Sequence, residues 1–188
     1  VGTVVVTVSL SVPSSGVTTV QYATASGSAA QGADFAGASG TLTFAPGVTT
    51  QTFTVAISED NIAESTEQFT VALLNALGAP IAGSGVLTVS ITDNEVLKVT
   101  GTSMTVPEAV GIASFVVSLN VAAEFPVVVS YSFASGTASP PDYLPSTSTV
   151  TVAAGSVSAT IFATISNDPI DEDDEDFVAT DDDEGHEL

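Results

Sequence analysis

The sequence predicts an all-β protein made of two antiparallel β-sandwiches of one design in tandem, and three observations lead there. Valine and threonine dominate the 188 residues while Lys, Arg, Gln and Met are scarce, a balance that favours strands over helices. Short runs alternate apolar and polar residues between clusters of Gly, Pro and Ser, the pattern of strands with one oily and one wet face. The chain also repeats itself: Asp168, Glu172, Glu175 and Phe177 each stand 108 positions after Asp60, Glu64, Glu67 and Phe69.

The runs follow in order. Val4, Val6, Val8 and Leu10 share a face opposite Thr3, Thr7 and Ser9. "VQYATASGSA" at 20–29 returns as "VSYSFASGTA" at 129–138, an offset of 109, and "TLTFAPG" at 41–47 returns as "TVTVAAG" at 149–155, an offset of 108. The one-residue change falls between "GSAAQGADF" and "GTASPPDY", a loop. Phe53, Val55 and Ile57 alternate with Thr52, Thr54 and Ala56, and Leu87, Val89 and Ile91 with Thr88, Ser90 and Thr92. Runs at 115–119, 127–133, 148–152 and 159–165 supply the second copy. The boundary is expected near "TDNEVLK" at 92–98, giving domains 1–95 and 96–188, the latter with an acidic C-terminal end.

Composition excludes several functions. Lys98 is the only basic residue apart from His186, against 22 acids and a formal charge of -21. Phosphate backbones need cations to displace counterions, so no nucleic-acid partner is expected, and anionic membrane surfaces are disfavoured for the same reason. No apolar run approaches the roughly 18 residues of a bilayer span, so no membrane insertion is expected. The absence of cysteine removes disulfides, thiol catalysis and sulfur metal sites. With no initiator Met and no signal peptide, the chain reads as a processed product or a piece of something longer. Enzyme readings fail on inventory: the only His lies in the acidic tail, there is no Trp for a sugar platform, and "GSG" at 83–85 lacks the Lys of a phosphate loop. No active site is expected.

The acids carry the functional signal. Loops of a sandwich cluster at its two ends, so acids distant in sequence can meet there. Asp60, Glu64 and Glu67 follow the run ending at Ile57; Asp93, Asn94 and Glu95 follow the run ending at Ile91; Asp34 comes from a third loop. Carboxylates in close contact repel by roughly 4 kcal/mol per pair at an effective dielectric of about 20. Oxygen-only donors on flexible loops suit a hard cation of irregular geometry, Ca2+ before Mg2+. The competing reading is a solvated loop that keeps an apolar sandwich soluble. Twelve acids fall in residues 168–188, many of which must face water, and "DDDEGHEL" reads as a frayed end that does not match an EF-hand.

"YATASGSAAQGADF", "GTLTFAPGVTTQTFTVAI", "EDNIAESTEQFTVAL" and "LTVSITDNE", in that order, resemble the Calx-beta family, seven-stranded sandwiches of immunoglobulin-like type found in sodium/calcium exchangers, integrin tails and bacterial surface proteins. "PDY", "TVTVAAG" and "NDPIDEDDEDF" carry the resemblance in the second copy. It implies that the first copy lacks its opening strand, which "MTVPEAVG" supplies to the second, and that the second lacks its closing strand. It also implies calcium ligands at Asp34, Asp60, Glu64, Glu67, Asp93 and Glu95, with Asn94 where an acid is common, and at Glu108, Asp142, Asp168, Glu172 and Glu175. The expected function is an extracellular or cell-surface structural or adhesive module, stiffened by calcium at the linker. Its partners would be adjacent repeats or neighbouring copies joined by strand exchange. The alternative is a calcium-sensing regulatory pair that reorients on binding.

Overall fold

The computed structural model describes residues 2–101, 110–138, 142–144, 147–166 and 176–181. The chain divides into two compact units, Val1–Asp60 with Ser65–Asp93, and Asn61–Glu64 with Asn94–Leu188. Among the described residues all regular structure is strand, as the composition predicts. The first unit holds β1 (Gly2–Ser9), β2 (Thr18–Ser26), β3 (Ser39–Phe44) and β4 (Thr50–Ile57). The short β5 (Ile62–Ala63) belongs to the second unit, and β6 (Glu67–Leu77) and β7 (Val86–Ile91) to the first. The second unit continues with β8 (Val99–Gly101), β9 (Ile112–Leu119), β10 (Ala122–Ala123) and β11 (Val127–Ser135), then β12 (Thr147–Val152), β13 (Ser158–Thr164) and β14 (Phe177–Asp181).

In the first unit β1 pairs with β4, and β3-β2-β6-β7 form the other sheet. In the second, β13-β9-β8 and β12-β11-β14 are the two sheets, and β10 pairs in parallel with β5. Each described unit therefore shows six of seven family strands. Among the described residues β1 pairs with β4 alone and β14 with β11 alone.

Alternation fixes which residues go inside. Val6, Phe53 and Val55 are buried while Thr7, Thr52 and Thr54 are exposed. Phe35, Phe44, Phe69 and Val71 complete the first core, where Tyr22 stacks on Phe53 at 3.7 Å. The second core gathers Phe115, Val117, Tyr131, Phe133, Tyr143 and Ile161. Leu87, on the predicted oily face of β7, departs from the pattern at 49% exposed, on the edge strand of its sheet.

The repeated motifs have local causes. "APGV" at 45–48 is a β-turn in which the Val48 amide donates to the Ala45 carbonyl at 2.9 Å, with Gly47 at φ 83°. Its counterpart at 153–156 repeats both the bond, Ser156 to Ala153 at 2.9 Å, and the left-handed glycine, Gly155 at φ 74°. A side chain at that φ is strained, which is why glycine holds the third turn position in both copies.

"SGSA" and "SGTA" form a second repeated device. The Ala29 amide donates to the Gln68 carbonyl at 2.9 Å, and the Gln68 amide donates to the Ser28 hydroxyl at 2.9 Å. In the second unit the Ala138 amide donates to the Asp176 carbonyl at 2.9 Å and the Asp176 amide to the Thr137 hydroxyl at 2.8 Å. Gly27 and Gly136 lie flat against these strands; a Cβ at Gly27 would meet the Gln68 carbonyl, and one at Gly136 would meet Asp176. Asp176 adds a reciprocal bond: its carboxylate accepts from the Thr137 hydroxyl at 2.7 Å and the Thr137 amide at 2.8 Å. Those bonds, the hydroxyl's first, hold its pKa below the ordinary aspartate range.

Three consequences are measurable. Gly27→Ala forces the β2 end away from β6 and should cost about 1–3 kcal/mol in urea denaturation. Thr18 is 2% exposed and its hydroxyl has no hydrogen-bond partner among the described residues, so Thr18→Val should leave the chain as stable or more stable by about 1 kcal/mol. The depressed Asp176 pKa gives stability that is complete above the unfolded aspartate pKa and is lost as pH falls through the lower folded value. In calcium-free buffer the melting temperature of the parent chain should therefore exceed that of Asp176→Asn at neutral pH, and the gap should close on acidification.

Candidate metal centre

The strand register brings several of the predicted ligands to one end of the first unit. β4 ends at Ile57 and runs on into Ser58–Asp60. The 30–38 loop is stitched along this end: the Ala36 amide donates to the Ala56 carbonyl at 2.9 Å, the Ser58 amide donates to the Asp34 carbonyl at 2.9 Å, and Phe35 bridges Ile57. Phe35, 0% exposed, stacks on Phe69 at 4.3 Å and so fastens the same loop to β6 two residues past Glu67. Glu67 opens β6 opposite Ile91, the last residue of β7, which puts Asp93 two residues beyond that pair. Asp34, Asp60, Glu67 and Asp93 thus issue from three loops and a strand start at a common end.

Their exposure separates them. Asp34, Glu67 and Asp93 are half-buried, whereas Glu59 and Asp60 are exposed. The Asp34 carboxylate accepts the Ala30 amide at 2.6 Å, and the Asp34 amide donates to the Ala30 carbonyl at 3.0 Å, which closes the turn that aims the loop. Glu64, Asn94 and Glu95 belong to the second unit; Glu64 and Glu95 are half-buried there and Asn94 is exposed.

The second unit repeats the loop anchor. Tyr143, 1% exposed, stacks on Phe177 at 4.5 Å, bridges Ile165, and shares a 2.8 Å hydrogen bond between its hydroxyl and that of Ser135. The Ser166 amide donates to the Asp142 carbonyl at 2.8 Å, the counterpart of the Ser58 to Asp34 bond. Asp142 is half-buried. The other predicted ligands of this copy, Glu108, Asp168, Glu172 and Glu175, lie outside the described residues.

Among the described residues no group of three or more His, Asp or Glu side chains is drawn together closely enough to hold a metal ion. The donor set still fits calcium by its chemistry, since every predicted ligand offers oxygen and the three half-buried carboxylates of the first unit lie where strand ends and a pinned loop meet. The structure also shows a polar residue that the sequence reading missed. The Asn120 side chain accepts the Lys98 amide at 2.6 Å and donates to the Val96 carbonyl at 2.9 Å, holding the approach to β8. Nothing in the sequence marks it, because its partners are backbone groups some 22 to 24 residues away.

Comparison with known proteins bears on the same residues. The Calx-beta domain model matches twice, at residues 1–95 and 90–184. Over 96 residues the chain is 34% identical to the sodium/calcium exchanger Calx of Drosophila melanogaster, a match covering 49% of this chain and 10% of that protein, so the chain spans only a small part of its curated relative. Among solved structures, CBD12 from CALX1.2 is 27% identical, covering 96% of this chain and 73% of that one, with a TM-score of 0.49. The calcium binding domain CBD12 of CALX1.1 is 26% identical, covering 95% and 73%, with a TM-score of 0.49. The two family matches together span nearly the whole sequence, and the chain belongs to the Calx-beta domain family, as two domains in tandem.

Proposed function

We propose that this chain is a calcium-responsive domain pair, with the principal ion site at the end of the first unit. The observation that carries the reading is the half-burial of Asp34, Glu67 and Asp93 at one end of a Calx-beta sandwich, in a chain with a single Lys to oppose 22 acids. Carboxylates drawn partly out of water at a shared end repel one another, and a divalent cation relieves that repulsion. Asp34, Asp60, Glu67 and Asp93 would hold the ion in the first unit, with Asp142, Asp168, Glu172 and Glu175 in the corresponding role in the second. The similarity to an exchanger named for calcium favours a sensing role over a passive one. The ion supplies charge neutralisation and cross-linking of loops; the chain's own residues supply the anchored loop and the strand ends.

The competing reading is a surface-exposed structural module that calcium merely stiffens. The two roles differ in the calcium range they need. A sensor responds to micromolar calcium, whereas an extracellular spacer is already saturated at millimolar levels.

Scanning calorimetry in chelator, magnesium and calcium tests the site. A site of about 10 μM dissociation constant contributes about 2.7 kcal/mol at about 1 mM ion, which should raise the melting temperature by about 10 °C. Glu67→Gln with Asp93→Asn should abolish most of that rise. Small-angle scattering across the same titration separates the roles: a change at micromolar calcium supports sensing. A melting temperature insensitive to calcium, or equally sensitive to magnesium and calcium, overturns the site.

A further inference from the structure

The outer face of the β9 and β13 pair has a composition that the first unit does not share. Its outward residues form four rows across the two strands: Ile112 beside Thr164, Ser114 beside Phe162, Val116 beside Thr160, and Ser118 beside Ser158. Ile112 is 60%, Phe162 64% and Val116 40% exposed. Leu144, 59% exposed, extends the first row, since its amide donates to the Thr164 carbonyl at 3.2 Å while its neighbour Tyr143 turns into the core. The matching places in the first unit hold Thr3, Thr54, Thr7 and Ala36. The registers correspond: Val5 pairs with Thr54 as Ser114 pairs with Phe162, and the Ala36 amide donates to the Ala56 carbonyl at 2.9 Å. Four places that are Thr or Ala in one copy of the fold are Ile, Phe, Val and Leu in the other, so the sandwich itself does not require large apolar side chains there.

Apolar residues exposed singly are ordinary, whereas a contiguous set marks a contact surface. No acid stands at an outward position of β8, β9 or β13, in a chain with 22 acids. Two copies, each of charge -21, therefore meet at least electrostatic cost through this face. The rows are also complementary to themselves. In each of the first three, a large apolar residue on one strand stands beside Ser or Thr on the other. A two-fold axis along the strands, between β9 and β13, lays β13 of one copy over β9 of its partner. Phe162 then enters the hollow at Ser114, Ile112 meets Thr164, and Val116 meets Thr160. The first unit has Val5 at the place of that hollow. Such a stacking keeps the strand directions of the two sheets aligned, the common way for sheets to pack.

We propose that the outer face of β9 and β13 is a docking surface for a second copy of this chain, in an isologous dimer that sets β13 of each copy over β9 of the other. The second copy is the occupant because it carries the matching rows and the same acid-free face. Two strands of this length with the flanking Leu144 present on the order of 300–400 Å². That is roughly half of the area each partner gives to a standard interface, so the dimer is weak, with a dissociation constant on the order of 100 μM. The inference does not depend on calcium.

Analytical ultracentrifugation of the full 188-residue chain in chelator, from about 5 μM to about 1 mM, tests the proposal. A reversible monomer–dimer equilibrium is expected, strengthened by added NaCl because salt screens the repulsion between the two chains. Phe162→Thr, which installs the residue of the matching place in the first unit, should weaken the dimer about tenfold or more. Ser114→Val should weaken it as well, although it makes the face more apolar, because it fills the hollow that receives Phe162. Val128→Thr, at a valine 62% exposed on the other sheet of the unit, should leave association unchanged. Melting temperatures establish that the variants are folded. Concentration-dependent amide shifts in the unaltered chain, expected in β9 and β13, locate the contact without any substitution. A chain that stays monomeric through about 1 mM overturns the proposal and leaves the face to a different occupant. Association that Ser114→Val tightens, that Phe162→Thr leaves unchanged, or whose shifts are confined to other strands overturns it too.

Discussion

The buried stack of Phe35 on Phe69, and its repeat as Tyr143 on Phe177, is the contact on which the functional end of each unit depends. A loop tip carrying an exposed side chain would wander; one that inserts an aromatic ring into the core is fixed by the area it buries, with about 0.5–1.5 kcal/mol more from ring geometry. Once the ring is seated, the residue before it has its carbonyl against the amide that follows the fourth strand, Ser58 in one copy and Ser166 in the other. Asp34 and Asp142 are therefore placed by hydrophobic packing.

Charge then decides what such an end is suited to do. Half-buried carboxylates lose part of their hydration, in a chain that sets one Lys against 22 acids, and the proposed calcium ion would offset that cost. Asp60 is exposed, whereas Asp34, Glu67 and Asp93 are half-buried and would feel the proposed ion more strongly. On the proposed reading, fold and site are coupled in one direction: the apolar core packs without the ion, and the loops would gain from it.

Much of the fold was legible because alternation and duplication are both properties of sequence order. The offset of 108 to 109 located matching strands, and the matching glycines proved to mark a left-handed turn position and a close strand approach. Candidate ligands were legible as residue types, and register confirmed that Glu67 and Asp93 share an end. How close their side chains come was not legible, since it depends on rotamers, and among the described residues no three acidic side chains lie close enough to hold an ion. Leu87 was read as a core residue from its parity alone, and parity does not report whether a neighbouring strand is there to cover it. The Asn120 clip and the two-residue pairing of β5 with β10 were invisible because neither leaves a period.

The central claim is that one end of the first sandwich binds calcium through loop-borne oxygens. A calcium titration followed residue by residue in amide NMR spectra tests it most directly. The account predicts saturable shifts concentrated at Asp34, Ser58–Asp60, Glu67 and Asp93, unmatched by sodium at equal ionic strength. Small shifts spread over the acidic residues of the whole chain, rising without saturation and reproduced by sodium, would contradict it.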